Sequence, residues 1–354
     1  MDSELFYAAW NSYRVFRINT DTRRKYKQRH GYAAYGTAHW QEKFETVNFY
    51  HHDNNGILLG DYKKDTYKPL PKAAFENPKI DSYSVHSFAD RLNQQLLVFG
   101  PPGAGKTTGF ILPNIFHLLQ QGKSMVVTDP KGELYEHTAN AAREEGYNVV
   151  VLDYLHFKYG ARQNLLNYIF AEEQYAELAS MYLTATRAEG EKGDFWESKA
   201  KELLTALIGF VHQAYGSKGT LTHVYELTQY VANDPNYLRY LFEKYNIQGA
   251  PKLLMEGVLG GSKAESMMAS LTGTLSERLN LFTLSNVRAQ TSTTDYDLSK
   301  LAEEKTIVYI WTSVSQETYK PLISTFWTVF FNTMYETARK HGGSLPFLVE
   351  CLWY

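Results

Sequence analysis

The chain has 354 residues, 44% hydrophobic and 21% charged, which is enough apolar material for a sizeable core and about two domains. A net charge of −2 excludes a uniformly basic nucleic-acid binder, so any such contact is expected from local patches. The single cysteine, Cys351, excludes a disulfide framework and a cysteine-rich zinc site and fits a reducing compartment. No run approaches the roughly 18 apolar residues of a membrane span and no signal-peptide pattern is visible, so the chain as written reads as soluble or peripheral.

Residues 1–87 read as a basic arm followed by a segment of short strands and turns. Arg14, Arg17, Arg23, Arg24, Lys25, Lys27 and Arg29 form a run broken only by Asp21. Such a run is either a solvated, flexible arm or a cytoplasmic juxtamembrane segment that meets anionic headgroups. Gly36-Thr37-Ala38-His39-Trp40 and Gly56-Ile57-Leu58-Leu59-Gly60 bracket a polar loop, and the rest up to Ser87 is rich in Tyr, Lys, Asp and Pro.

Residues 88–170 alternate between strand and helix. The apolar run Leu96-Leu97-Val98-Phe99 predicts a buried strand. Gly100-Pro101-Pro102-Gly103-Ala104-Gly105-Lys106-Thr107 then matches the pattern G-x-x-x-x-G-K-[ST] without a mismatch. From Gly109 to Gln121 the residues Phe110, Ile111, Ile115, Leu118 and Leu119 recur at helical spacing. Phosphate chemistry needs this strand–loop–helix order. The glycines let backbone N–H groups turn toward phosphate oxygens, and the helix N-terminus adds a partial positive charge. The expected ATP cradle is Gly100, Pro101, Pro102, Gly103, Ala104, Gly105, Lys106, Thr107 and Thr108. In it Lys106 reaches the β- and γ-phosphates, the Thr107 hydroxyl holds Mg²⁺, and Thr108 adds a phosphate contact.

Ser124 to Thr128 predicts the next strand, ending in Asp129-Pro130-Lys131-Gly132-Glu133. A helix from Leu134 to Glu145, stopped by Gly146, and a strand from Asn148 to Leu152 follow. This alternation argues for a parallel sheet with right-handed crossovers, which binds ligands at the carboxyl ends of its strands. Asp129 falls at such an end. It is either part of the Mg²⁺ shell or a cap on the following helix, and the two roles are compatible.

Residues 171–290 read as an all-α insertion. Phe195, Trp196, Ala200, Leu203, Leu204, Leu207 and Val211 mark one face of an amphipathic helix. Tyr225 to Val231, Pro235 to Tyr245 and Ser262 to Leu281 predict further helices, the last with Met267, Met268, Leu271 and Leu275 on one face. These stripes are core, and an insertion of this kind carries specificity or a partner surface. The sheet resumes over residues 291–354. Thr306 to Thr312 predicts a strand, and Tyr319 to Arg339 a long helix that is apolar nearly all round and needs burial on several sides. Gly342-Gly343 ends it, and Leu345 to Glu350 starts another strand.

Several of these strings occur in an order that resembles the TraG/TraD-like conjugative coupling proteins. They are Gly36-Thr37-Ala38-His39-Trp40, the phosphate loop with Ile111-Leu112-Pro113-Asn114, Asp129-Pro130-Lys131-Gly132-Glu133, Asn164-Leu165-Leu166-Asn167, the Phe195-Trp196 helix start, and Thr294-Asp295-Tyr296-Asp297-Leu298 before Val308-Tyr309. The resemblance runs from about residue 30 to 345. It implies an α/β fold, a RecA-like parallel-sheet core of the phosphate-loop NTPases with an inserted all-α domain. It also implies the partners of a coupling protein. These are single-stranded DNA with its relaxase, the type IV secretion channel proteins, and identical subunits in a hexamer on the cytoplasmic face of the bacterial cell membrane.

Two departures from the family accompany the resemblance. Its transmembrane helices before the basic segment are not in this sequence. In place of its Asp-Glu pair, the last strand reads Val349-Glu350-Cys351-Leu352-Trp353-Tyr354, which leaves Glu350 as the candidate catalytic acid beside Lys106 and Asp129. The expectation is a truncated chain that binds ATP without appreciable hydrolysis. The alternative to a DNA-translocating motor is a non-catalytic remnant or nucleotide-binding interaction module. A metabolic kinase is a third reading, opposed by the helical insertion and the lack of a lid-like arginine cluster.

Overall fold

In the computed structural model the described residues are 51–52, 57–61, 82–85, 96–187, 195–260, 264–313, 317–345 and 349–352. Their contacts group into two units, residues 1–122 and 123–354. The basic run Arg14–Arg29 and Gly36–Trp40 lie outside the described residues.

The first unit holds strands β1 (His51–His52), β2 (Ile57–Asp61) and β3 (Ser82–Val85), antiparallel in the order β1-β3-β2. Ile57 faces Val85, and the β2–β3 register slips at Leu58/Gly60, as a bulge does beside a glycine. These are the short strands expected before residue 87. Leu96–Phe99 departs from expectation. It forms no strand among the described residues, and Leu97 and Phe99 are 78% and 81% exposed. Four apolar residues have the propensity for a strand, but a ladder also needs a partner edge, and the run pairs with none among the described residues of its unit. After the glycine-rich loop comes a π-helical turn, Thr107–Ile111, that runs into α1 (Leu112–Gln120). Pro113 sits in the first turn of α1, where its missing N–H costs nothing. The expected apolar stripe is buried at Ile111, Ile115, Leu118 and Leu119, and β2 packs beside the helix.

The second unit is built on a parallel sheet of β4 (Ser124–Thr128), β5 (Asn148–Asp153), β6 (Thr306–Trp311) and β7 (Val349–Leu352), in the order β5-β6-β4-β7. All five residues of β4 are buried, as a central parallel strand covered on both faces must be. Helix α2 (Glu133–Glu144) links β4 to β5 and covers one face, where Thr138 and Tyr309 share a 2.6 Å hydrogen bond between hydroxyls. Val126, Val150, Leu152, Val308 and Ile310 point into the large apolar core on the other face.

Between the paired strands β5 and β6 the chain makes α3 (Glu173–Ala185), α4 (Phe195–Tyr215), α5 (Leu221–Asn233), α6 (Pro235–Lys244), α7 (Ala250–Leu259), α8 (Ala264–Arg278) and α9 (Ser285–Gln290). The expected stripe of α4 is buried from Ala200 to Val211, but Phe195 and Trp196 are 62% and 46% exposed and pack edge to face on each other instead. Both lie in the first turn of the helix. On α8, Met268, Leu271 and Leu275 are buried and Met267 is half-buried. The long helix α10 (Lys320–Lys340) contacts α3 and the turn at Leu298–Ala302. It buries Leu322, Phe326, Trp327, Val329, Phe330 and Met334 but leaves Phe331 exposed, so its apolar surface is not covered all round. The fold is thus α/β, a parallel-sheet core interrupted by an all-α insertion, as the sequence predicts.

Candidate functional site

The glycine-rich loop has the backbone its motif requires. Gly103 and Gly105 take φ of 77° and 81°, the left-handed region that glycine enters without steric cost. A Cβ on Gly103 would meet nothing within 4 Å, so its demand is conformational. The loop closes on itself through Ala104 N–H to Pro101 O at 3.1 Å and Gly109 N–H to Gly105 O at 2.7 Å. The N–H groups of Gly103 and Gly105 have no protein acceptor among the described residues. The Lys106 ammonium folds back over the loop and donates to Gly100 O at 2.7 Å and Pro101 O at 3.3 Å. Thr107 opens the π-helical turn, and the Thr108 hydroxyl lies 3.5 Å from Gly105 O.

The π-helical turn has a visible support. Asn114, fully buried, donates from Nδ2 to Phe110 O at 2.9 Å, across the point where the π turn becomes the α-helix. Sequence reasoning reached Asn114 only as part of a matching string. The polar residue at a position otherwise inside the apolar stripe was the available signal. A loop whose Gly103 and Gly105 N–H groups meet no acceptor among the described residues, with a lysine within reach and a helix behind it, suits a phosphate chain, with the Thr107 hydroxyl as an oxygen ligand of the kind Mg²⁺ takes.

Asp129 belongs to the second unit, one residue beyond β4, and is 1% exposed. Its Oδ2 accepts the N–H of Tyr135 at 2.8 Å. The capping alternative is therefore seen in modified form. The helix starts at Glu133, with Gly132 (φ 77°) at the cap position, and the carboxylate reaches forward past it to the first turn. Burial pushes the Asp129 carboxyl above its ordinary value, against the lowering effect of N–H groups from Tyr135, Leu134 and Gly132. The indole N–H of Trp311, buried without a partner among the described residues, lies on the same side, where a Cβ on Gly132 would come within 4.0 Å of it.

Glu350 is placed by backbone register. It pairs with Met125, so its level is about 13 Å back along the strand direction from that of Asp129. The structure does not bring these two expected acidic positions to one level of the sheet.

The carboxyl end of β5 carries a buried acid that sequence reasoning missed. Asp153 accepts N–H groups from Leu155, His156, Lys158 and Tyr159 at 2.7–3.2 Å and organises the turn after the strand, including Phe157 at φ 55°. Burial works to raise its carboxyl, and the four N–H donors outweigh burial and hold it below the usual value. It was hidden because an acid ending a strand and one ending a turn look alike in sequence. Beside β5, Tyr135, Arg143, Tyr159, Tyr296 and Trp311 line a cavity of about 490 Å³, next to Val149 and Val151.

The family described as type IV secretory system conjugative DNA transfer matches residues 60–352. No curated protein matches the chain. Among solved structures, the bacterial conjugative coupling protein TrwBdeltaN70 in its unbound monoclinic form is 14% identical, with 72% of this chain and 61% of that chain covered and a TM-score of 0.46. The plasmid coupling protein TrwB in complex with the non-hydrolysable GTP analogue GDPNP gives the same identity and TM-score, with 72% and 62% covered. This chain thus spans 61–62% of the length of these coupling proteins. With the family matched over most of its length, the chain belongs to the conjugative DNA-transfer family of type IV secretory systems.

Proposed function

We propose that this chain is the nucleotide-binding core of a conjugative coupling protein, and that Mg-ATP binds at Gly100 to Thr108. What carries the reading is the loop itself: two glycines in left-handed backbone, N–H groups without acceptors among the described residues, and the Lys106 ammonium held over the loop. In it the backbone N–H groups and Lys106 hold the phosphates and Thr107 takes the Mg²⁺. A TrwB structure holds the nucleotide analogue GDPNP, which agrees in ligand class. By family membership the wider function is recruitment and transfer of single-stranded DNA with its relaxase through a type IV secretion channel. The functional unit is then a homo-hexamer on the cytoplasmic face of the membrane. Among the described residues no helix is long and apolar enough to cross a membrane.

The level of Glu350 relative to Asp129 favours a second reading, in which nucleotide is held without turnover. Orienting an attacking water requires an acid near the carboxyl end of the sheet, and catalytic groups that act together are strongly non-additive. One experiment separates the readings. Lys106→Ala should abolish ATP binding and leave the circular dichroism spectrum unchanged. ATP at 100 times its Kd should raise the parent's stability by about 2.7 kcal/mol and the variant's not at all. Equal affinity in parent and variant would rule out the loop as the site. Phosphate release that single-stranded DNA stimulates and Lys106→Ala removes would establish a motor and dismiss the second reading.

A further inference from the structure

The helix behind the phosphate loop is not α-helical from its start. Gly109 N–H bonds Gly105 O, four residues back, but Leu112 N–H bonds Thr107 O, five residues back. The turn just beyond Lys106 therefore holds an extra residue. The sequence supplies a reason for the break. In an unbroken α-helix the N–H of residue 113 would bond Gly109 O, and Pro113 has no N–H and carries a ring that clashes with that carbonyl. A wider π turn relieves the clash, and the α-helix restarts at Leu112 with Pro113 in its first turn.

Proline breaks the ladder but does not choose the arrangement that replaces it. Asn114 does. It is fully buried on the same side as Ile111, Ile115 and Leu118, where an amide is costly unless it is hydrogen-bonded. Its Nδ2 donates at 2.9 Å to Phe110 O, a carbonyl inside the π turn. The choice matters upstream. The buried stripe seats α1, so residues ahead of the turn take their direction from it. One residue of helix is about 100° of rotation and about 1.5 Å of rise, and gaining or losing the extra residue re-aims Thr107 by about that much. The loop up to Lys106 is closed by its own bonds, Ala104 N–H to Pro101 O and the Lys106 ammonium to Gly100 O. Thr107 lies in the π turn itself, and its carbonyl accepts the Leu112 N–H.

We propose that Asn114 is a positioning residue, whose side-chain bond to Phe110 O holds the π turn in the register that points the Thr107 hydroxyl at the Mg²⁺ of bound Mg-ATP. The proposal rests on the reading of the loop as the Mg-ATP site and adds the residue that sets Thr107 without itself touching the ligand.

The test compares Asn114→Thr with Asn114→Val, side chains of one shape that differ by a hydroxyl. Thr138, Thr205 and Thr333 in this chain each donate to the carbonyl four residues back at 2.6–2.7 Å. Asn114→Thr thus keeps a donor for Phe110 O, and Asn114→Val removes it. ATP affinity is measured by titration calorimetry with Mg²⁺ and with EDTA. Asn114→Val should weaken Mg-ATP binding about ten-fold, as loss of a partner that orients a metal ligand does, and Asn114→Thr should stay within about two-fold of the parent. In EDTA all three should bind ATP alike, because the loop N–H groups and Lys106 act there without the metal. In the ligand-free protein, amide exchange over residues 107–112 should be faster in Asn114→Val than in Asn114→Thr. If Asn114→Val fails to fold, Asn114→Ala takes its place against Asn114→Ser. Equal Mg-ATP affinity of the Val and Thr variants, a loss of the same size in EDTA, or equal amide exchange would each overturn the proposal and leave the loop standing as the nucleotide site. No ATP binding by the parent, or undiminished binding by Lys106→Ala, would overturn that site and the proposal with it.

Discussion

At the residue scale, Asp129 shows what burial does to a carboxylate that is bonded to the start of a helix. Its carboxylate is buried and bonded to the start of α2, and burial raises its proton affinity above that of an exposed acid. The sign follows directly. A carboxyl whose folded pKa lies above its unfolded value disfavours folding when ionised. Stability therefore rises as pH falls through the folded pKa, and the gain is complete at the unfolded value. Asp129→Asn keeps an oxygen for the Tyr135 N–H and removes the buried charge. The variant should be at least as stable as the parent at pH 7 in urea denaturation, and should lack the parent's relative gain as pH falls from neutral toward the ordinary carboxylate range. A clear loss of stability at pH 7 would show that the ionised carboxylate is held by more than these N–H groups. Asp153 works in the opposite direction. Its four N–H donors favour the ionised form, so its contribution is present above the ordinary carboxylate range and is lost as pH falls through its depressed folded value.

At the scale of elements, glycine placement decides where helices begin. Asp129-Pro130-Lys131-Gly132-Glu133 reads in sequence as a strand end followed by a helix start, and the left-handed residue in it is Gly132. A Cβ there would make ordinary contact with the Trp311 ring at 3.8 Å, so backbone strain is the whole cost of adding one. Gly132→Ala should destabilise the protein by about 1–2 kcal/mol, with Gly132→Asn costing less because Asn tolerates the left-handed region. Equal stability of the Ala variant in thermal unfolding would mean that the turn relaxes to another conformation. Helix starts and stops of this kind were legible in sequence. Gly146, Gly342 and Gly343 all take positive φ where the sequence predicts a stop. The π-helical turn after Lys106 was not legible, because it lies at the very start of the helix, ahead of most of the apolar stripe whose spacing would have recorded the extra residue.

At the scale of the second unit, α10 joins the helical block to the residues flanking the sheet. Phe326 is fully buried and its ring stacks with Phe330 at 6.1 Å and meets Trp327 edge to face. Phe326→Ala should cost about 3–5 kcal/mol, since these aromatic neighbours are too rigid to fill the cavity. Calorimetry should show the transition of this unit shifting down in temperature as one event. A shift confined to a minor transition would show that block and sheet unfold independently.

The sequence by itself determined the phosphate-loop pattern, the alternation of strands and helices, the interruption by a helical block and the family. These depend on local spacing and on residue types that chemistry leaves little freedom to vary. Only the tertiary structure decided three further matters. Leu96–Phe99 forms no strand among the described residues of its unit despite its strand-like composition, because a ladder needs a partner edge. Glu350 falls at the level of Met125, because register is a relation between strands distant in sequence. And Tyr215 at the end of α4 meets Tyr245 just beyond α6, and Tyr230 of α5 meets Tyr237 of α6, because faces that lie apart along the chain become neighbours only when the helices pack.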